Sequence, residues 1–83
     1  MTIRLKTVCP EQIGMLPNGD YPVPDGCAAA AALRACMRAG GLEPLPSERE
    51  AQLLFMRNGQ HVKPETALCD GDRLTVLRPL SGG

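Results

Sequence analysis

Aromatic residues are almost missing from this chain: no Trp, one Tyr and one Phe among 83 residues. A core must therefore be assembled from Leu, Val, Ile, Met and Ala. Neither sign of charge is in excess, with 9 Lys and Arg against 9 Asp and Glu. That balance argues against the basic stripe of a nucleic-acid binder. No apolar run approaches the ~20 residues of a membrane span. The opening Met1-Thr2-Ile3-Arg4-Leu5-Lys6 has no secretory hydrophobic region. The expected address is the cytoplasm, with no membrane and no nucleic-acid partner. At this length the chain reads as one small domain, residues 1–83, burying roughly 60–65% of its unfolded surface.

Metal-site spacing is also lacking. Cys9, Cys27, Cys36 and Cys69 form no C-x-x-C, which excludes a zinc ribbon, and no C-x4-C-x2-C, which excludes a plant-type iron–sulfur site. Cys27 and Cys36 fall in one Ala-rich stretch read as helical. Nine residues of helix separate them by about 13–14 Å on opposite faces, too far for a disulfide. Free thiols packed as small hydrophobes are the expectation. Cys27 is the one to watch, because a helix N-terminus lowers a thiol pKa. A catalytic constellation is lacking as well. The lone His61 beside a hairpin reads as an exposed polar residue, and the carboxylates are scattered.

What is present is a clear order of elements. Thr2 to Val8 alternates, with Ile3, Leu5 and Thr7 on one face and Arg4 and Lys6 on the other, as a half-buried strand does. Asn18-Gly19 signals a hairpin into a short edge strand, Tyr21 to Val23, flanked by prolines. Cys27 to Arg38 has high helix propensity, with Ala29, Leu33, Cys36 and Met37 on one stripe and Arg34 and Arg38 opposite. Gly40-Gly41 ends it. Ser47 with Glu50 three residues on suggests a capped helical turn. Gln52 to Arg57 reads as an apolar strand, Asn58-Gly59 as a second hairpin turn and Gln60 to Val62 as a short strand. A tight turn at Leu68–Asp72 leads into the last strand, Arg73 to Leu77. Two antiparallel hairpins around one helix, with the first and last strands central, make an α+β domain of ubiquitin-like β-grasp shape: a mixed sheet of four to five strands on one main helix.

One feature rises above a generic fold. After the last strand comes a tail, 78–83, read as flexible and ending Pro79-Leu80-Ser81-Gly82-Gly83. Pro79 cannot continue ladder pairing. Two glycines permit a close backbone approach that any Cβ would block. Such a tail can thread a narrow channel and place a bare carboxylate in another protein's active site.

The run from Leu68 to Gly83, with its Asp70-Gly71-Asp72 turn, apolar strand, Pro79 and closing Ser81-Gly82-Gly83, resembles the C-terminal signature of the ThiS/MoaD sulfur-carrier family. The Arg57-Asn58-Gly59 turn matches that family's usual hairpin element, with Arg57 in place of the common valine. Cys27 and Ala28 replace a Thr–Val-type pair at the start of the helix, and the four cysteines are not a family feature. The length, with Pro79 and Leu80, is closer to the molybdopterin-synthase small subunit than to the thiamin carrier.

The resemblance implies a protein co-substrate with no catalytic residue, no metal and no bound cofactor of its own. An E1-like adenylating enzyme would use ATP and Mg²⁺ to activate the Gly83 carboxylate. Sulfide or persulfide sulfur would then leave a C-terminal thiocarboxylate. A sulfur-accepting synthase, of the molybdopterin synthase large-subunit or thiazole synthase type, would receive the sulfur. Pro79, Leu80, Ser81 and Gly82 would thread the partner's active site, and the free carrier would be a monomer. Strand alternation makes one set of side chains core and the other exposed. Either Phe55 or Met56, whichever faces away from the helix, would join Leu77 and Arg78 on the binding surface; Phe55, Leu77 and Arg78 are the partner-binding expectation. Two other readings share the fold: a ubiquitin-like modifier that joins the same diglycine to a lysine, and an interaction module whose diglycine is idle.

Overall fold

The computed structural model describes residues 1–8 and 15–78. Its elements are β1 (Thr2–Val8), β2 (Gly19–Pro22), α1 (Ala29–Ala39), α2 (Ser47–Glu50), β3 (Leu54–Arg57), β4 (Gln60–Val62) and β5 (Arg73–Leu77). The five strands form one sheet in the order β2-β1-β5-β3-β4. β1 and β5 run parallel at its centre, and the other pairings are antiparallel. This is the mixed sheet of a β-grasp fold, with the last strand in the middle and the first strand beside it.

Period-two alternation decides which side of the sheet is wet. Ile3 and Leu5 of β1, Phe55 of β3, and Leu74 and Val76 of β5 all face one side and are buried. They meet Ala29, Ala30, Ala32, Leu33, Cys36 and Met37 of α1 in a single core cluster. An 11-residue helix is marginal alone in water, so this packing, rather than alanine propensity, holds it.

The helix starts later than its composition suggests. Cys27 and Ala28 lie ahead of α1, and Ala28 forms an isolated bridge with Ala67. The N-cap makes no side-chain hydrogen bond. Instead the first-turn N–H groups of Ala29 and Ala30 donate to the backbone oxygens of Thr66 and Pro64, each at 2.9 Å. A loop thus replaces the capping side chain, and Cys27 is not a helix N-terminal thiol. Of the three described cysteines, all free, Cys36 is buried, and burial pushes its thiol up to about 11. The C-terminus follows expectation. Leu42 N–H reaches Met37 O at 2.8 Å and Gly41 N–H reaches Arg38 O at 3.1 Å, a Schellman closure with Gly41 at φ 76°, where a Cβ is unfavourable.

Two local expectations need correction. Asn18-Gly19 is not a two-residue hairpin turn, because Gly19 itself pairs with Leu5 as the start of β2; Asn18 Oδ1 instead accepts from Thr7 N–H at 3.1 Å. Ser47 is the first residue of α2 rather than its cap, and no capping-box bond forms. Glu50 turns instead to Arg34, 2.7 Å away. Asn58-Gly59 does make the expected turn, with φ of 51° and 85° between the paired Arg57 and Gln60, the signature of a type I′ hairpin.

Candidate functional site

The tail residues Pro79, Leu80, Ser81, Gly82 and Gly83 lie outside the described residues. The structure does define the surface from which they leave. β5 ends at Leu77, and Arg78 N–H still reaches Val8 O at 3.4 Å, so the chain departs beside the end of β1. Parallel and antiparallel registers set Val8 opposite Leu77 and Leu77 opposite Leu54. All three sit on the sheet face turned away from α1. Val8 is 51% and Leu54 36% exposed, and Leu77 is half-buried. An apolar row across three strands therefore borders the tail exit. Half-buried Met56 and exposed His61, paired across β3 and β4, extend the same face.

Of the three side chains expected to bind a partner, Leu77 and Arg78 are half-buried at this exit. Phe55 is not on the surface. It is 1% exposed and among the largest buried side chains, paired with Val76 and facing α1. Its volume is needed inside a chain with no other Phe, so its neighbours Leu54 and Met56 take the outward positions. Sequence reading missed Val8 and Leu54. The parity of Val8 with Arg4 and Lys6, and of Leu54 with Met56, was the available signal.

The start of β5 is fastened separately. Asp72, 7% exposed, accepts from Arg57 Nε at 2.6 Å, Cys69 N–H at 2.7 Å and Asn58 Nδ2 at 3.1 Å. Asn58 Oδ1 in turn accepts from Arg73 N–H at 2.9 Å. These bonds lock the β3–β4 turn to the turn before β5, fixing the register that aligns Leu54 with Leu77. This explains the arginine ahead of Asn58-Gly59: Arg57 supplies a charged donor to a buried carboxylate. Burial alone pushes the Asp72 carboxyl up, but the bonds from Cys69, Asn58 and Arg57 together outweigh it and hold the group below its usual range. A depressed folded pKa contributes stability above the unfolded value, near pH 4, that disappears as pH falls through the folded value. Asp72→Asn is therefore expected to cost on the order of 1–3 kcal/mol at neutral pH. That deficit should shrink below about pH 4, as thermal melts of both proteins across a pH series will show.

Among the described residues, no three His, Cys, Asp or Glu side chains group to hold a metal ion, and no helix is long and apolar enough to cross a membrane.

Comparison with known proteins agrees with this geometry. The model of the ThiS family matches residues 22–83. None of the curated proteins matches the chain. Among solved structures, SAMP1 from Haloferax volcanii superposes with a TM-score of 0.68 at 19% identity, covering 100% of both chains. A second structure, of H. volcanii small archaeal modifier protein 1, gives a TM-score of 0.70 at 18% identity, covering 95% of this chain and 98% of that one. At such identities the likeness speaks for the β-grasp fold alone.

Proposed function

Because the chain belongs to the ThiS family, whose small ubiquitin-like members are carriers or modifiers rather than catalysts, we propose that it is a sulfur carrier working through Gly83. The observation that carries this reading is the diglycine end of the sequence, leaving beside an exposed apolar row on a central strand.

The Gly83 carboxylate is ionised at neutral pH and a poor electrophile. In an E1-like partner, one of its oxygens attacks the α-phosphorus of Mg-ATP, and pyrophosphate leaves. Hydrosulfide then attacks the acyl carbon of the adenylate. A C–S bond forms, the C–O bond to AMP breaks, and one proton is released. The product is a C-terminal thiocarboxylate, a soft anionic nucleophile able to deliver sulfur to an activated precursor in a second partner.

This chain contributes the tail and a docking surface: Leu77, Leu54, Val8 and Met56 supply apolar contact, with Arg78 at the exit. Five residues, 79–83, span up to about 17 Å when extended, enough to carry the carboxylate into a channel while the domain stays outside. Pro79, Leu80, Ser81 and Gly82 line that path. The receiving enzyme is of the molybdopterin-synthase large-subunit type in preference to the thiazole-synthase type, on the strength of Pro79, Leu80 and chain length. The free carrier is a cytoplasmic monomer.

The test is incubation of the untagged chain with ATP, Mg²⁺, sulfide and its adenylating enzyme, followed by mass analysis of the C-terminal fragment. Sulfur for oxygen has the nominal mass change of one methionine oxidation, and the chain has four Met, so the fragment must localise the change to Gly83. A thiocarboxylate there is expected. An adenylate that passes instead only to lysine amines would reassign the chain as a modifier. Failure to form any adenylate would leave an interaction module.

A further inference from the structure

The outer face of the sheet is divided along its length. Its tail end is apolar, whereas its other end carries Arg4 and Lys6 of β1 and Arg73 of β5, all exposed. The parallel register places Arg4 directly beside Arg73, with Lys6 two residues on, beside Thr75. Like charges directly opposite on adjacent strands destabilise a sheet, and here they occupy its two central strands.

The surrounding carboxylates offset them in part, because Asp20 and Asp70 line a groove beside Arg4 and Arg73, whereas Lys6 does not border it. Asp20 lies across from Arg4, with 3.4 Å between Oδ1 and Nε and both side chains more than 60% exposed, a geometry worth little in water. Asp70 Oδ1 accepts from Thr2 N–H. Asp25, Glu50 and Asp72 are drawn to the Met1 ammonium, Arg34 and Arg57 respectively. Among the described residues, Lys6 and Arg73 join no ion pair. Arg4, Lys6 and Arg73 set against Asp20 and Asp70 leave this end of the face one net positive charge, in a chain with equal numbers of acidic and basic residues. A groove of about 640 Å³ runs between Arg4, Lys6, Arg73, Thr75 and the Asn58-Gly59 turn.

We propose that Arg4, Lys6 and Arg73 form a docking half-site for an acidic surface of the adenylating partner, an inference that rests on the carrier reading above. Carboxylates brought against this cluster relieve a repulsion that the free chain bears, so binding and free stability are coupled with opposite signs. A protein fits the face better than a nucleic acid. Lys6 stands two residues before Val8 on the same face, so a cation borders the Val8–Leu77–Leu54 row, giving the apolar-plus-charged make-up of a protein interface. Neither aromatic residue is available to stack a base, since Phe55 faces the core and Tyr21 is paired with the buried Ile3.

The deciding experiment is ATP–pyrophosphate exchange by the adenylating enzyme, with the full chain as the varied substrate, from low to high ionic strength. For the wild type, kcat/KM should fall steeply with salt, through KM. Arg73→Glu combined with Lys6→Glu should lower kcat/KM about 10-fold or more at low salt, flatten the salt dependence and leave kcat unchanged. Arg73→Gln should raise KM while raising the Tm of the free chain by roughly 1–5 °C. Glu43→Lys, an exchange on the exposed connector, should change none of these. Exchange that is salt-independent and unaffected by the double reversal overturns the docking site and leaves the carrier reading standing. No exchange with the wild type overturns both. Salt-sensitive binding to a single-stranded oligonucleotide that the reversals abolish, with KM for the enzyme unchanged, would assign the cluster to nucleic acid instead.

Discussion

Adding one residue after Gly83, or deleting Gly83, is expected to reduce thiocarboxylate formation by at least about 100-fold without moving Tm. In the proposed reaction the reacting atoms are the two terminal carboxylate oxygens and the carbon that bears them. One more residue shifts them by up to about 3.6 Å, and displacement of even 1 Å from an attack geometry can cost about 100-fold. The fold should not register the change, because the β1–β5 ladder closes upstream, where Arg78 N–H meets Val8 O. Gly82→Ala separates distance from width. It keeps the carboxylate at the same distance along the chain but adds a Cβ, so a loss there reports a narrow passage. C-terminal fragment masses and thermal melts of the three variants check this. A full yield of thiocarboxylate from the extended variant would mean that the distance of the carboxylate from the domain does not govern the reaction.

The second large effect separates two neighbours on β3. Phe55→Ala is expected to cost about 3–5 kcal/mol through lost burial and a cavity beneath α1. In a domain of this size that lowers Tm by at least about 12 °C. It should weaken partner binding only to the extent that the protein unfolds. Leu54→Ala, one residue earlier and exposed, should stay within about 0.5 kcal/mol of wild type yet raise KM in the exchange assay, because it removes one side chain of the apolar row at the tail exit. Melts by circular dichroism and exchange kinetics on the two variants give opposite patterns if β3 has the described register. A destabilised Leu54→Ala beside a fully stable Phe55→Ala would mean that the strand is turned over, since a shift of one residue exchanges its two faces.

Much of the architecture is legible in short stretches of sequence. The alternation of Thr2–Val8, the Asn58-Gly59 dipeptide and the double glycine after the Ala-rich segment are local signals, and each acts through the backbone of a few residues. The misreadings are those where the partner lies far along the chain. The N-terminus of α1 is capped by Pro64 and Thr66, more than thirty residues away, so no local residue announced where it starts. Ser47 and Glu50 have capping-box spacing, but Arg34, on another element, draws Glu50 away. The face of β3 belongs to the same class. Leu54, Phe55 and Met56 are all apolar, so periodicity offers no choice, and only the space under α1 selects Phe55.

The succession of strands and helices along the chain, the apolar stripe of the helix and the diglycine at the tail are written in local sequence. These follow from side-chain period, turn chemistry and composition, which are properties of neighbouring residues. The folded sheet, by contrast, sets which apolar residues are exposed, brings Arg57 and Asn58 to Asp72 and stands Arg4 beside Arg73. Each of those depends on the register between strands distant in sequence, and that register is set by packing the whole sheet against one helix.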